Sequence, residues 1–411
     1  MSTADRAGAI LEIDLAAIVA NWRLLCAMHP SGPVAGVVKA DGYGLGARPV
    51  AQALYAAGCR HFFVALLDEA MEIRQIVPDA MLAVLGGLIA GSEADYLAQN
   101  IVPVLGSLAE IDAWTAAAHS ISARGETSAS IDGDVTRYHH PRESGDPACV
   151  PRAGMTARVA ARASDESIFP SPPAILHIDT GMSRLGLDAR ELALLQQDHA
   201  RLAGIDLRYV MTHLVASEAA ADPLNQRQRE RFAAACAGLP SAPRSFANSS
   251  GIFLGSGWGS DLARPGAALY GINPTPGAAN PMRLAVRLRA RVLAVRDVPP
   301  GTGIGYNATW HAPEPSRIAT AAIGYADGLR RTLSNQGRAF FDGTPVPLVG
   351  RVSMDLTTFD VTEAPGVVPG AWLEIIGPAQ TPDDLAVASG TNGYEVLTSL
   401  GRRFHRIYQS A

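Results

Sequence analysis

The sequence predicts an α/β fold: a (β/α)8 TIM-type barrel over residues 12–280, followed by a mostly antiparallel C-terminal β domain over residues 281–411. Three observations predict it. From about residue 34, eight short apolar runs alternate with segments whose apolar residues recur every three to four positions. After about residue 283 the texture changes to β-branched alternation broken by Gly/Pro-rich turns. Polar residues capable of chemistry stand where the apolar runs end, and in a parallel barrel those ends share one rim.

The runs are PVAGVVK, HFFVALL, MLAVLGG, IVPVLG, AILHID, LRYVMTH, RSFANSS and SDLARPG. Between them ARPVAQALYAAG, DEAMEIRQIV, SEADYLAQN, LAEIDAWTAAA, ARELALLQQDHARL and PLNQRQRERFAAACAGL carry helical spacing. Near-continuous apolar strands are buried on both faces, which is the signature of a parallel sheet covered by helices. The earlier segment ILEIDL reads as a strand that pairs with the second domain, and Asp14 caps the helix that begins LAAIVANWRLL. RLAVRLRARVLAVRDV, RIATAAIGYA, AFFDGTPVPLVGRVSMDLTTFDV and AWLEIIG supply the strands of the C-terminal domain.

Residues from about 121 to 170 break the rhythm: they are rich in Ser, Arg, Asp and Pro and keep no period, and they read as an irregular insertion. The insertion lies between a helix and the next strand, so it should leave the barrel at the N-terminal face, away from the strand-end rim. Its stretch RYHHPRESGDPA resembles peptides read from dispersed genomic repeats. His139 and His140 lack partner ligands nearby in sequence, and no metal site is expected.

Composition narrows the partners. Of 411 residues 48% are apolar and the net charge is −5 with both signs scattered, so no basic face for nucleic acid or anionic lipid is expected. Four cysteines, Cys26, Cys59, Cys149 and Cys236, stand far apart without C-x-x-C spacing, which argues against a disulfide framework or a zinc knot. No apolar run reaches the roughly 18 residues of a membrane span, and the first residues carry no secretory h-region. A cytoplasmic protein acting on a small molecule is expected.

At the rim, Lys39 ends the first run and is followed at once by glycines in VVKADGYGLG. Arg184 follows the fifth run, His213 ends the sixth, Asn248 and Ser249 end the seventh, and Arg264 with Gly266 ends the eighth. A partly desolvated lysine loses its proton readily and attacks aldehydes. Ser249 and the backbone at Gly266 and Ala267 stand where barrels hold a phosphate, after strands seven and eight. An aldehyde-reactive amine facing a phosphate cradle suggests pyridoxal 5'-phosphate.

In order along the chain, VVKADGYGLG, HIDTGMSRLG, THLVASEA, FANSSG, ARPGAALYG, GYNATW, AAIGYADGLRR, GRVSMD and GYEVLTS resemble motifs of the alanine racemases, barrel-type pyridoxal-phosphate enzymes. The resemblance spans nearly the whole chain except the insertion. It implies a homodimer with shared sites between one barrel and the partner's β domain, interconverting L- and D-alanine for peptidoglycan or for catabolism. It implies that Lys39 holds the cofactor as an aldimine and serves as base on one face of the α-carbon, with Tyr306 from the partner on the other. Racemisation by two bases needs just such a flanking pair. It further implies Arg264 at the pyridine nitrogen, with His213 linked to that arginine and the tyrosine, and Tyr43, Asn248, Ser249, Gly266, Ala267 and Tyr394 around the cofactor. Arg184 and the N–H of Met354 would hold the substrate carboxylate, and Tyr325 would line the entry. A racemase of broader specificity and a non-catalytic pyridoxal-phosphate-binding protein are the alternatives. One position departs from the family: where many relatives carry a carbamylated lysine that orients this arginine, the chain has His177. A neutral imidazole brings no negative charge, so a small anion or another carboxylate is expected beside Arg184.

Overall fold

The computed structural model describes residues 4–125 and 171–410. Strand β1 (Ala9–Asp14) comes first and leads into helix α1 (Leu15–Met28), whose N-terminus is capped by the Asp14 carboxylate accepting from the Ala17 N–H at 2.8 Å. Seven parallel strands follow: β2 (Gly36–Val37), β3 (His61–Val64), β4 (Met81–Val84), β5 (Val102–Leu105), β6 (Pro173–His177), β7 (Asp206–Met211) and β8 (Arg244–Ser245). Each pairs with the next in chain order.

The eighth apolar run forms no strand but closes the ring. Ala263 bridges Val34, the Ala35 and Val37 N–H groups donate to the carbonyls of Ala263 and Pro265, and the Arg264 N–H donates to Ala247. Pro265 has no N–H to extend a ladder, so the run stays a bridge. The seventh run is likewise short, because the chain turns at Asn248 to Leu254 into a one-turn helix.

Alternate residues explain why the runs are apolar throughout. Phe63, Val102, Val104, Ile175 and Met211 fill the barrel interior, while Phe62, Val64, Leu105 and Leu176 face the surrounding helices. After β2 the chain makes the short turn segment α2 (Lys39–Tyr43), and the surrounding helices are α3 (Ala47–Ala56), α4 (Leu67–Arg74), α5 (Glu93–Ala98), α6 (Leu108–Gly125), α7 (Ala189–Gln197) and α8 (Pro223–Ala237). Of the expected insertion, residues up to Gly125 belong to α6, whereas 126–170, with His139 and His140, lie outside the described residues. Cys59 and Cys236 are free thiols, and Cys26 is disulfide-bonded.

A second sheet is built around the 13-residue strand β9 (Val286–Val298). Its first half pairs antiparallel with β1 on one side and β16 (Trp372–Ile376) on the other, and its second half with β12 (Ser316–Ala321). Outside the small hairpin of β10 (Gly303–Ile304) and β11 (Trp310–His311), the sheet continues through β13 (Arg338–Phe341), β14 (Thr344–Pro347) and β15 (Thr357–Asp360). Helices α9 (Pro382–Ser389) and α10 (Gly393–Thr398) precede β17 (His405–Gln409), which pairs parallel with β1. The chain's first and last strands therefore lie side by side in this sheet.

Candidate active site

Lys39 follows β2 by one residue and opens a left-handed turn: Ala40, Asp41, Gly42 and Tyr43 all have φ between 53° and 61°. Three of the four carry a Cβ, and each such residue costs about 1–2 kcal/mol in that region. The turn persists because its polar groups are satisfied. Gly44 donates to Ala40 at 2.8 Å, Gly46 to Asp41 at 2.7 Å, and the Asp41 carboxylate accepts from Ala47 at 2.9 Å. From α4, the Glu69 carboxylate accepts from Ala40 at 2.6 Å and from Ala65 at 2.8 Å, fastening this turn to the loop after β3. At Gly44, whose φ is 81°, a side chain would run into the Leu397 carbonyl, so glycine is required there.

Burial lowers the Lys39 pKa from its ordinary value, and the nearby Arg184 guanidinium lowers it further against an opposing pull from Glu69. His213, at the end of β7, is pushed down to about 3 by burial, with Arg264, Arg184, Lys39 and His177 all adding to the effect. His177 falls to about 4 by burial first and Arg264 second. Both imidazoles are therefore neutral near pH 7. Arg264 is buried and lowered to about 10 by burial, and it donates to the Thr212 carbonyl at 2.6 Å and to the Ser245 hydroxyl. No carboxylate pairs with it among the described residues. Three cationic side chains thus surround one mouth with little negative charge, an arrangement that favours anions.

The cradle is built where the chain passes Ser249 and Gly266. Ser249 Oγ accepts from the N–H groups of Gly266 at 3.1 Å and Ala268 at 3.2 Å. A Cβ at Gly266 would strike the Tyr43 hydroxyl, so the absence of a side chain is what lets that phenol reach the cradle. Tyr43 stacks on Tyr270 with ring centroids 4.7 Å apart, and burial raises its pKa to about 12. Asn248 braces the cradle, its side-chain oxygen accepting from the Ser217 hydroxyl at 2.9 Å and from the Gly251 N–H at 2.8 Å. Tyr394, at the start of α10, donates its hydroxyl to Glu218 Oε1 at 2.5 Å.

Arg184 is exposed on the loop after β6 and forms no hydrogen bond or ion pair among the described residues, so the carboxylate expected to hold it is not there. The loop itself is fixed by Asp179. Burial alone would raise that carboxyl, but N–H bonds from Gly181, Met182 and Ser183 at 2.8–2.9 Å outweigh it and hold it low.

The remaining expected residues stand elsewhere. Tyr306, Tyr325 and Met354 are on the β domain, exposed at 68%, 44% and 54%, and no hydrogen bond links them to the barrel mouth among the described residues. Tyr306 sits on a tight turn in which Gly305, Asn307 and Ala308 all have positive φ. The Met354 carbonyl accepts from Ala326 at 3.0 Å, while its N–H has no acceptor among the described residues. Within one chain, then, the structure brings together Lys39, Tyr43, Arg184, His213, Asn248, Ser249, Arg264, Gly266 and Ala267, with Tyr394 at the edge.

Sequence reasoning missed Glu69, Asp179 and Glu218. Two of these had a signal: Glu69 stands three residues after Leu66 in a capping-box position, and Asp179 opens the turn-forming DTG.

The family model "Alanine racemase, N-terminal domain" matches residues 13–137 and 156–274, leaving 138–155 unmatched, and "Alanine racemase, C-terminal domain" matches 285–408. An alanine racemase of Acidiphilium cryptum is 49% identical over 400 residues, covering 97% of this chain and 98% of that relative. A catabolic alanine racemase of Mesorhizobium japonicum is 44% identical over 98% of this chain and 93% of its own length. Among solved structures, the Bartonella henselae alanine racemase with covalently bound pyridoxal phosphate aligns with a TM-score of 0.83 at 36% identity, over 98% of this chain and 100% of that one. With both family models matched in order and near-full-length relatives at this identity, the chain belongs to the alanine racemase family.

Proposed function

We propose that this protein is a cytoplasmic alanine racemase that uses pyridoxal 5'-phosphate to interconvert L- and D-alanine, with the D-isomer feeding peptidoglycan or the L-isomer feeding catabolism. The observation that carries this reading is the barrel mouth itself: a lysine of lowered pKa among unpaired cations, on the same rim as a cradle where Ser249 gathers the Gly266 and Ala268 N–H groups and Gly266 leaves room. The residues fit the cofactor. Ser249, Gly266 and Ala267, with Tyr43 and Tyr394 beside them and Asn248 bracing, would hold its phosphate; Arg264 would face its ring, with neutral His213 next to it. When bound, pyridoxal phosphate supplies an aldehyde that condenses with amines and a ring that withdraws electrons from the substrate α-carbon.

Lys39 is the amine that meets the cofactor, and once freed it takes or returns the α-proton on one face. Tyr306 works the other face. A guanidinium keeps its proton, so Arg264 donates a hydrogen bond without becoming a second ring acid. Arg184 and the free Met354 N–H hold the substrate carboxylate, and Tyr325 lines the approach.

Since Tyr306 and Met354 are exposed on the β domain, the complete site belongs to a homodimer. Exposed apolar side chains support this. Leu66, Ile89, Leu185 and Val215 rim the barrel mouth, and Tyr306, Tyr325, Met354 and Leu356 form a patch on the β domain. Large exposed patches of this kind mark contact surfaces. We divide the chain accordingly into a barrel over 12–280 and a β domain over 281–411 that recruits residues 9–14.

A chiral assay tests the reading. Purified protein with pyridoxal phosphate and L-alanine in D2O should accumulate D-alanine towards a one-to-one mixture with deuterium at the α-carbon, and Tyr306→Phe should lose that activity. Deuterium entering with the L-configuration retained would leave a cofactor site without racemisation. No exchange at all would leave only a binding protein.

A further inference from the structure

The carboxylate of Glu218, bonded to Tyr394 beside the cradle, runs against anion binding. It sits in the loop after β7, next to Ser217, whose hydroxyl bonds Asn248. The loop is held on its other side by Asn225 of α8, whose amide donates to the carbonyls of Ala216 at 3.2 Å and Ala219 at 2.9 Å. The loop is thereby held, with Glu218 itself exposed. Its carboxylate has no cationic partner among the described residues and bonds only the Tyr394 hydroxyl. Tyr394 in turn is fixed beside the cradle, because Gly393 packs so tightly on Ile272, just past Ala267–Tyr270, that a Cβ there would meet Ile272 Cδ1 at 2.7 Å. The other carboxylate near this phenol, Asp383, accepts from the Asn273 N–H at 2.9 Å.

A phenol has a single O–H to give. While Glu218 accepts it, the phenol presents only lone pairs to an anion, and the carboxylate adds like-charge repulsion. We propose that Glu218 is a positioning residue that competes with the cofactor phosphate for the Tyr394 hydroxyl, and so sets how tightly the phosphate end of the cofactor is retained. The proposal rests on the cofactor reading above. Glutamine at this position would remove the charge and leave only a weaker, neutral amide acceptor to compete for the Tyr394 O–H, and serine would shorten the side chain as well.

The test is a titration of full-length apoprotein with pyridoxal phosphate and, separately, with pyridoxal, which lacks the phosphate. Glu218→Gln should lower the Kd for pyridoxal phosphate about tenfold, the scale of one hydrogen bond to a charged group. The Kd for pyridoxal should not change. In a Tyr394→Phe background the same substitution should lose most of its effect. Glu218→Ser, which removes the same charge, should repeat the gain and serves if the glutamine variant folds poorly. An unchanged or raised Kd for pyridoxal phosphate, an equal gain with pyridoxal, or a gain that survives Tyr394→Phe would each overturn the proposal while leaving the cofactor reading intact. If the wild-type protein binds no pyridoxal phosphate, both fall together.

Discussion

The barrel mouth and the exposed patch of the β domain are opposites in construction. At the mouth, Lys39, His213 and Arg264 are wholly or largely buried, and burial is the leading cause of each one's pKa shift. On the patch, Tyr306 and Met354 stand in solvent, held only by the backbone turns that present them. Each region alone lacks half of what a two-base site needs: the mouth has one base and an anion cradle, the patch has a phenol and a free N–H. The homodimer proposed above would join the two, and the difference is best probed by separating the halves.

The largest effect should come from doing so directly. Lys39→Ala and Tyr306→Phe should each lower kcat/KM by on the order of 10²–10⁴-fold, the usual scale for loss of a general acid or base. If the sites are shared, mixing the two variants under exchange should restore about a quarter of wild-type activity, because random pairing makes half the dimers mixed and each mixed dimer holds one intact site of two. Absence of recovery would place both groups in one chain's site and break the comparison.

Next in size is Gly266→Ala. The added Cβ meets the Tyr43 hydroxyl, and Tyr43 is stacked on Tyr270 and cannot withdraw freely. Overpacking of this kind costs about 1–3 kcal/mol, so the Kd for pyridoxal phosphate should rise by roughly tenfold or more. Equilibrium titration of the apoprotein measures it, and an unchanged affinity would show that the cradle is not where the phosphate binds.

The pH dependence of cofactor capture should shift by less, and in opposite directions for two neighbours of Lys39. Capture needs the neutral amine, so its rate rises with pH until the Lys39 pKa is passed. Arg184 lowers that pKa, so Arg184→Gln should move the midpoint to higher pH. Glu69 raises it, so Glu69→Gln should move the midpoint lower. Stopped-flow absorbance across pH reads both, and shifts of the same sign would contradict the electrostatic account.

The contrast also explains what could be read without coordinates. All eight apolar runs lie at the ring because a strand buried on both faces, such as His61–Val64, has no choice but to be apolar throughout. The strand-end residues Lys39, His213 and Arg264 were legible for the same reason, since a rim position follows from the run before it. What was not legible depended on backbone state or on distant partners. Ala40, Asp41 and Tyr43 adopt left-handed φ that none of them favours, and Glu69, 29 residues on, is one of the partners that make the turn hold. The eighth strand shrank to a bridge at Ala263, and Glu218 meets Tyr394 across 176 residues of sequence. Chain-distant pairs of this kind leave no local pattern.

The smallest effect should fall on the patch side, at Met354, and it separates a side-chain role from a backbone one. Met354 is 54% exposed and its N–H has no acceptor among the described residues. Met354→Ala keeps the N–H, so stability should change by less than about 0.5 kcal/mol and the KM for alanine by less than about threefold. Met354→Pro deletes the donor. If that N–H grips the substrate carboxylate, the proline variant should raise KM well beyond the alanine variant. The effect should be strongest with Arg184 already replaced, because the remaining donor then carries the carboxylate alone. Equal KM values for the two variants would mean that the patch contributes Tyr306 to the site and nothing else, and would leave Arg184 as the sole anchor of the carboxylate.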